Sequence, residues 1–164
     1  MAPPLLGWKE SPIETLHPIE FYYELVKTGR IKIDKNKKIK EPVTIQDPCN
    51  LVRLRGRGEM LRYLVGETCD SIVEMHPNRG HNYCCNAGGG GAAIGQPWKN
   101  NRCEGNSIKA KQIKATGCHT VVTPCHNCYT GINDIIKYYN LEGHGKFMDE
   151  LIVETMVVPE EFKA

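Results

Sequence analysis

Five of the eight cysteines in this chain follow one spacing: Cys49, the doublet Cys84-Cys85, and the run Cys125-His126-Asn127-Cys128, or C-x34-C-C-x39-C-x2-C. A closed structural zinc site takes four ligands, so five thiols are one too many, and they are too spread out for a simple redox pair. The pattern points to an iron–sulfur cluster. Any fold for this sequence has to bring three separate turns to one place.

The rest of the composition narrows the class. At 164 residues the chain holds one domain's worth of core. With 40% hydrophobic and 24% charged residues and a net charge of +2, neither disorder nor general polyanion binding is favoured, and no nucleic-acid partner is expected. No apolar run approaches the roughly 20 residues of a membrane-spanning helix. The start MAPPLLGWKE lacks the basic-then-apolar layout of a secretory signal, which predicts a cytoplasmic protein. Without an export signal, eight cysteines read as metal binding or redox chemistry rather than as a disulfide framework.

Periodicity then places the cysteines. Residues 1–17 are proline-interrupted and read as an irregular lead-in. A first helix is predicted from Pro18 to Gly29, with Ile19, Tyr22, Tyr23 and Val26 on one face. Lys27 to Lys40 carries seven basic residues against Asp34 alone, a solvated connector or a surface for an acidic partner. Val43 to Asp47 reads as a strand, and Pro48-Cys49-Asn50 as the turn opening a helix with Leu51, Leu54, Leu61 and Val65 that ends at Gly66. Ile72 to Met75 is a weaker strand candidate. Residues 78–101, rich in Gly and Asn, form a long functional loop, and residues 102–116 a helix stopped by Gly117. Thr120 to Thr123 is the clearest strand. It leads through Pro124-Cys125 into a helix bearing Ile132, Ile135, Ile136 and Tyr139. Residues 147–158 are expected to form a last helix.

Strand, cysteine-bearing turn and helix therefore occur twice. Parallel strands with right-handed crossovers would put both turns at the carboxyl edge of one sheet, where open α/β folds bind ligands. The predicted class is α/β, with a small, mostly parallel sheet flanked by helices. Three parts are expected: residues 1–42 (lead-in, helix and basic connector), 43–158 (the cysteine-rich domain) and 159–164 (a tail).

The chemistry at those turns suits a cluster. Cys125 and Cys128 open a helix, where free N–H groups and the macrodipole favour thiolate. Gly88, Gly89, Gly90 and Gly91 follow the doublet, and their backbone can approach an anionic group closely. Other motifs fail. No Gly-Lys-Ser/Thr completes a P-loop, no G-x-G-x-x-G is present, Tyr129 rather than His follows Cys128, and no ferredoxin cysteine run occurs. A zinc site from Cys49, Cys84, Cys125 and Cys128 would leave Cys85 over, and a Cys-x-x-Cys oxidoreductase would leave the doublet unexplained. Cys69, Cys103 and Cys118 read as structural. His126, between two candidate ligands, is a candidate for proton or hydrogen-bond duty.

Asp47-Pro48-Cys49, Cys84-Cys85-Asn86-Ala87-Gly88-Gly89-Gly90 and Thr123-Pro124-Cys125-His126-Asn127-Cys128 together resemble the cysteine-rich CCG domain of the B and D components of heterodisulfide reductase. The same family includes iron–sulfur subunits of glycolate, lactate and glycerol-3-phosphate oxidation systems. The resemblance runs from about Ile19 to Val158. Cys-Cys-Asn and Cys-His-Asn-Cys, in place of Cys-Cys-Gly and Cys-Pro-x-Cys, look most like the heterodisulfide-reductase-like subunits of electron-transfer complexes in sulfate-reducing bacteria. Where the family places Gly, Asn86 suggests a backbone position with φ > 0.

The resemblance implies a noncubane [4Fe-4S] cluster held by Cys49, Cys84, Cys85, Cys125 and Cys128, at which a disulfide-type substrate is reduced or formed. It implies an oxidoreductase acting within a multi-subunit complex, cytoplasmic or at the cytoplasmic face of a membrane-anchored assembly. The implied partners are a ferredoxin-type iron–sulfur subunit that supplies electrons and a disulfide or thiol substrate, a small sulfur-carrier protein among the candidates. Related subunits carry further cluster domains ahead of this segment, so the electrons are expected from another polypeptide or another part of a split subunit. The competing expectation is a non-catalytic module held together by zinc or a closed cluster.

Overall fold

Thr120–Thr123, β-branched at all four positions and wholly buried, forms the middle strand of a three-stranded sheet in a computed structural model that describes residues 15–162. The flanking strands are β1 (Val43–Ile45) and β3 (His144–Phe147), with β2 being Thr120–Thr123. Both pairings are parallel: Val43 registers with Thr120, Ile45 with Val122, and Thr123 with Phe147. All three strands therefore end at the same edge. The class is α/β with a small parallel sheet, as the sequence pattern predicts.

Among the described residues, six α-helices cover the two faces of this sheet: α1 (Pro18–Lys27), α2 (Gly58–Thr68), α3 (Trp98–Glu104), α4 (Ser107–Thr116), α5 (His126–Tyr138) and α6 (Met148–Thr155). Neighbouring strand residues point to opposite faces, and Val121 and Val122 divide accordingly. Val122 joins Val43, Ile45 and the apolar sides of α1, α2 and α6, including Ile19, Leu61, Val65 and Leu151. Val121 joins Ile113 of α4, Ile132, Ile135 and Ile136 of α5, and the sulfurs of Cys85, Cys103 and Cys128. Of the candidate ligands, Cys85 and Cys128 belong to this second layer and Cys125 packs against it.

Several boundaries differ from expectation for local reasons. The helix expected from Leu51 to Gly66 is two pieces. A π-turn spans Cys49–Arg53, and α2 starts only at Gly58, after Gly56 turns the chain at φ +66°. Leu54 falls in the break and is exposed rather than core. The helix over 102–116 is likewise divided at Gly105-Asn106. Ile72 contributes a single bridge to Val43, not a strand.

β3 was not anticipated. His-Gly-Lys-Phe has no β-branched residue, and its entry depends on Gly143, at φ +114°, where an added Cβ would sit 2.2 Å from the His119 carbonyl oxygen. The final helix consequently starts one residue late and ends at Thr155.

The basic segment after α1 is pinned rather than free. Ile33 bridges to Met156, Ile39 bridges to Cys69, and Lys38 Nζ donates to the Gly66 carbonyl at 2.7 Å. Most of the proline-rich lead-in, and the last two residues of the tail, lie outside the described residues. No helix among the described residues is long and apolar enough to cross a membrane.

Candidate functional site

β1 and β2 run into the two cysteine-bearing turns. Beyond β1, Asp47 is buried and accepts both ends of the Arg62 fork, at 2.8 and 3.0 Å, together with the Arg79 backbone N–H at 2.6 Å. Glu74 holds the other side of the same guanidinium at 2.5 and 2.8 Å. This charge-assisted lattice fixes the chain direction into Pro48-Cys49. Beyond β2, Cys125 is the N-cap of α5, so His126, Asn127 and Cys128 form its first turn.

The doublet reaches the same edge from the long loop. Asn106, just before α4, donates to the Cys84 carbonyl at 3.0 Å, and Cys85 Sγ lies 4.0 Å from the Asn127 carbonyl oxygen. Asn86 has φ +57°, the left-handed conformation that a glycine-tolerant position suggests, and its N–H donates to Cys84 Sγ at 3.3 Å. Gly131 of α5 receives the loop: a Cβ there would lie 2.7 Å from Ala87 Cβ and 2.8 Å from the Cys85 carbonyl.

Four sulfurs gather in the order Cys125, Cys128, Cys85, Cys84, each close enough to shift the ionisation of the next. Thiols of Cys128 and Cys84 donating to Cys85 hold it far down the scale, to about 3, against the upward push of burial. Cys125 is lowered to about 6, first by Cys128, with the Cys128 and Asn127 backbone N–H groups also contributing. The partners move the opposite way. Cys128 is raised first by its bond to Cys125 and then by that to Cys85, and Cys84 first by its bond to Cys85 and then by burial. Cys85 and Cys125 are therefore the sulfurs that favour thiolate, with the protons on Cys84 and Cys128. Cys49 is exposed and close enough for its charge to act on Cys84.

Such a donor set fits an iron–sulfur cluster, which takes thiolates and releases the protons now shared between sulfurs. The hydroxyls of Thr44 and Thr123 are buried without a hydrogen-bond partner. By strand alternation both lie on the sheet face that carries Cys85 and Cys128, and both are available to acceptor atoms of a bound group. Among the described residues, no three His, Cys, Asp or Glu side chains surround a single metal-ion position.

His126 is exposed, and its ring stacks at 6.2 Å on Phe147, which in turn stacks on Tyr129 at 4.3 Å. In the glycine run, Gly89 and Gly90 have φ +62° and +83°, and Gly91 packs toward Trp98 and Arg102. A cavity of about 440 Å³ opens beside the doublet, lined by Cys84, Asn86, Gly88, Trp98, Asn101 and Arg102. The three remaining cysteines, Cys69, Cys103 and Cys118, are buried, and burial pushes each thiol up.

Sequence reasoning missed the polar residues behind the sulfurs. Lys109 is wholly buried, with Nζ donating to Asn82 Oδ1 at 2.7 Å. Its signal was present: a lysine four residues before Ile113 falls on the apolar phase of α4. Arg102, paired with Asp134, was hidden by the assumption of one continuous helix.

Over 89 residues the chain is 39% identical to the D component of the dihydromethanophenazine:CoB--CoM heterodisulfide reductase of Methanosarcina mazei, covering 54% of this chain and 21% of that protein. The same component of the Methanosarcina barkeri enzyme is 28% identical over 156 residues, covering 94% of this chain and 35% of that protein. The Hdr-like menaquinol oxidoreductase iron-sulfur subunit 2 of Archaeoglobus fulgidus is 35% identical over 77 residues, covering 46% of this chain and 14% of that protein. The chain thus spans about a third or less of the length of these relatives. No solved structure is a significant match. The cysteine-rich domain family CCG matches residues 43–133, more than half of the sequence. From β1 through the Cys125-x-x-Cys128 turn and into α5, the chain belongs to the CCG family of cysteine-rich domains.

Proposed function

We propose that this chain is the iron–sulfur electron-transfer module of a heterodisulfide-reductase-like complex, acting on a disulfide-type substrate. The observation that carries this reading is the gathering of Cys125, Cys128, Cys85 and Cys84, each within electrostatic reach of the next, with Cys49 within reach of Cys84. Those five residues would hold a [4Fe-4S] cluster of noncubane type, which supplies electron transfer and a sulfur-binding iron when bound. The relatives named as heterodisulfide reductase and iron-sulfur subunits support the oxidoreductase class. Residues 43–158 are the proposed cluster-bearing domain, and the first helix with Lys27–Lys40 the proposed docking surface for the electron-supplying subunit.

The net reaction is R–S–S–R′ + 2e⁻ + 2H⁺ → R–SH + R′–SH, with electrons from a partner iron–sulfur subunit. The cavity beside Cys84 binds the substrate. Trp98 gives it a flat apolar wall, and Asn86 and Asn101 offer amide donors and acceptors. Gly88 to Gly91 let backbone approach the cluster edge, and exposed His126 at the start of α5 is the proposed proton source.

Anaerobic loading of the chain with iron and sulfide tests the reading. About four irons and matching sulfide per chain, with an atypical paramagnetic signal, are expected. Cys85→Ser is expected to lose iron nearly as completely as Cys84→Ser. One tightly held zinc and no cluster would replace this function with that of a metal-stabilised interaction module, and an unchanged iron content in Cys85→Ser would refute five-cysteine ligation.

A further inference from the structure

The protein pairs its other buried cations with carboxylates: Arg62 with Asp47 and Glu74, Arg102 with Asp134. Lys109 is the exception. It is fully buried, deeper than any other charged residue described, and no Asp or Glu oxygen among the described residues lies within 4 Å of Nζ. Its ammonium instead donates to Asn82 Oδ1 at 2.7 Å and to Met75 Sδ at 3.7 Å. Asn82 is held by its own donation to the Asp47 carbonyl at 3.0 Å, and Met75 packs in the same apolar group as Cys85 and Cys128. A cation buried this way needs a counter-charge close by.

The ionisable groups within electrostatic reach of it are Asp47 and the sulfurs of Cys85, Cys128 and Cys84. Asp47 is already engaged by both ends of the Arg62 fork, so the sulfurs remain. Burial draws Lys109 down to about 8, still cationic at neutral pH, while Cys85 above all acts to keep it charged. Asn106, the N-cap of α4 three residues before Lys109, donates to the Cys84 carbonyl, so the start of α4 ties the ammonium and the doublet into one frame.

We propose that Lys109 is the internal counter-cation of the group held by Cys84, Cys85 and Cys128, a positioning residue that raises the reduction potential of that group. The inference rests on the reading that these cysteines hold an iron–sulfur cluster. Reduction adds negative charge, and a fixed cation in a low-dielectric surrounding favours the reduced form. Net charge and local polarity are among the factors that set cluster potentials.

The test uses the full chain, loaded anaerobically, with iron and sulfide content and the midpoint potential measured by a redox titration followed by electron paramagnetic resonance. Lys109→Met is expected to keep its iron but shift the midpoint negative, by about tenfold or more in the reduction equilibrium, about 59 mV for one electron. Lys109→Arg should stay near the wild-type potential. Asn82→Asp, which leaves Lys109 in place and puts a carboxylate against it, should shift the midpoint in the same direction as Lys109→Met. An unmoved potential in iron-loaded Lys109→Met overturns the proposal. If that variant does not fold or hold iron, an unmoved potential in Asn82→Asp overturns it instead. A wild-type chain that takes up no cluster overturns the proposed function and this inference together, whereas a loaded chain with an unmoved potential overturns only the role of Lys109.

Discussion

Cys125 combines three influences that a free thiol lacks: a hydrogen bond from Cys128, the N–H groups of Cys128 and Asn127, and the N-terminal position on α5. Together these overcome partial burial and lower it to about 6. Below that pH the sulfur is a thiol and reacts slowly; above it the thiolate predominates, so reactivity rises through the window between about pH 5 and 7. Iodoacetamide labelling of the metal-free chain, followed by peptide mass spectrometry, should therefore modify Cys125 with an inflection near pH 6. Cys69, Cys103 and Cys118, whose thiols burial pushes up, should stay unmodified at neutral pH in the folded chain. At this scale the sequence was readable where one residue type answers to one backbone need, as with Asn86 at φ +57°. It was not readable for Lys109, because nothing local marks a lysine as buried. Its environment is assembled from Met75, Asn82 and the sulfurs, which are distant from it along the chain.

Two glycines inside helices separate local from tertiary demands. Gly66 in α2 has open space where a Cβ would be, so Gly66→Ala should only add helix propensity, about 0.5–1 kcal/mol of stability. Gly131 in α5 has the opposite surroundings, with Ala87 Cβ and the Cys85 carbonyl inside 3.0 Å of the added carbon. There the same substitution should overpack the contact between α5 and the doublet loop, and the propensity gain is smaller than the strain. A net loss of about 1–2 kcal/mol in urea unfolding is expected, with reduced iron uptake because the doublet is displaced. Elements with strong periodicity, α1, α5 and β2, were legible because an apolar face or a β-branched run dictates them. The breaks at Gly56 and Gly105-Asn106 were not, since the flanking residues keep helical composition across them. β3 was missed because its pairing to β2 comes from register and the close approach at Gly143, not from its own residues.

The molecule as a whole divides its cysteine chemistry unequally between the two faces of its sheet. Cys85 and Cys128 are packed among Val121, Ile113, Ile132 and Ile135, whereas the layer of α1, α2 and α6 contains none of the five pattern cysteines. A group bound to those sulfurs stabilises the states that keep them together, so its free energy enters the second layer first. Local opening free energies vary across a structure, and amide exchange reports them segment by segment. Comparing iron-loaded and chelator-treated chain by hydrogen exchange, the amides of residues 84–93 and 126–132 should exchange at least about tenfold faster after iron removal, the change that about 1.4 kcal/mol produces. Amides in α1 and α6 should change by less than about threefold, because their packing against Ile45, Val122 and Leu61 does not pass through the sulfurs. An equal change in both layers would mean that the sheet couples them into one cooperative unit. The two-layer division, already implied by alternation at Val121 and Val122, would then describe packing but not stability.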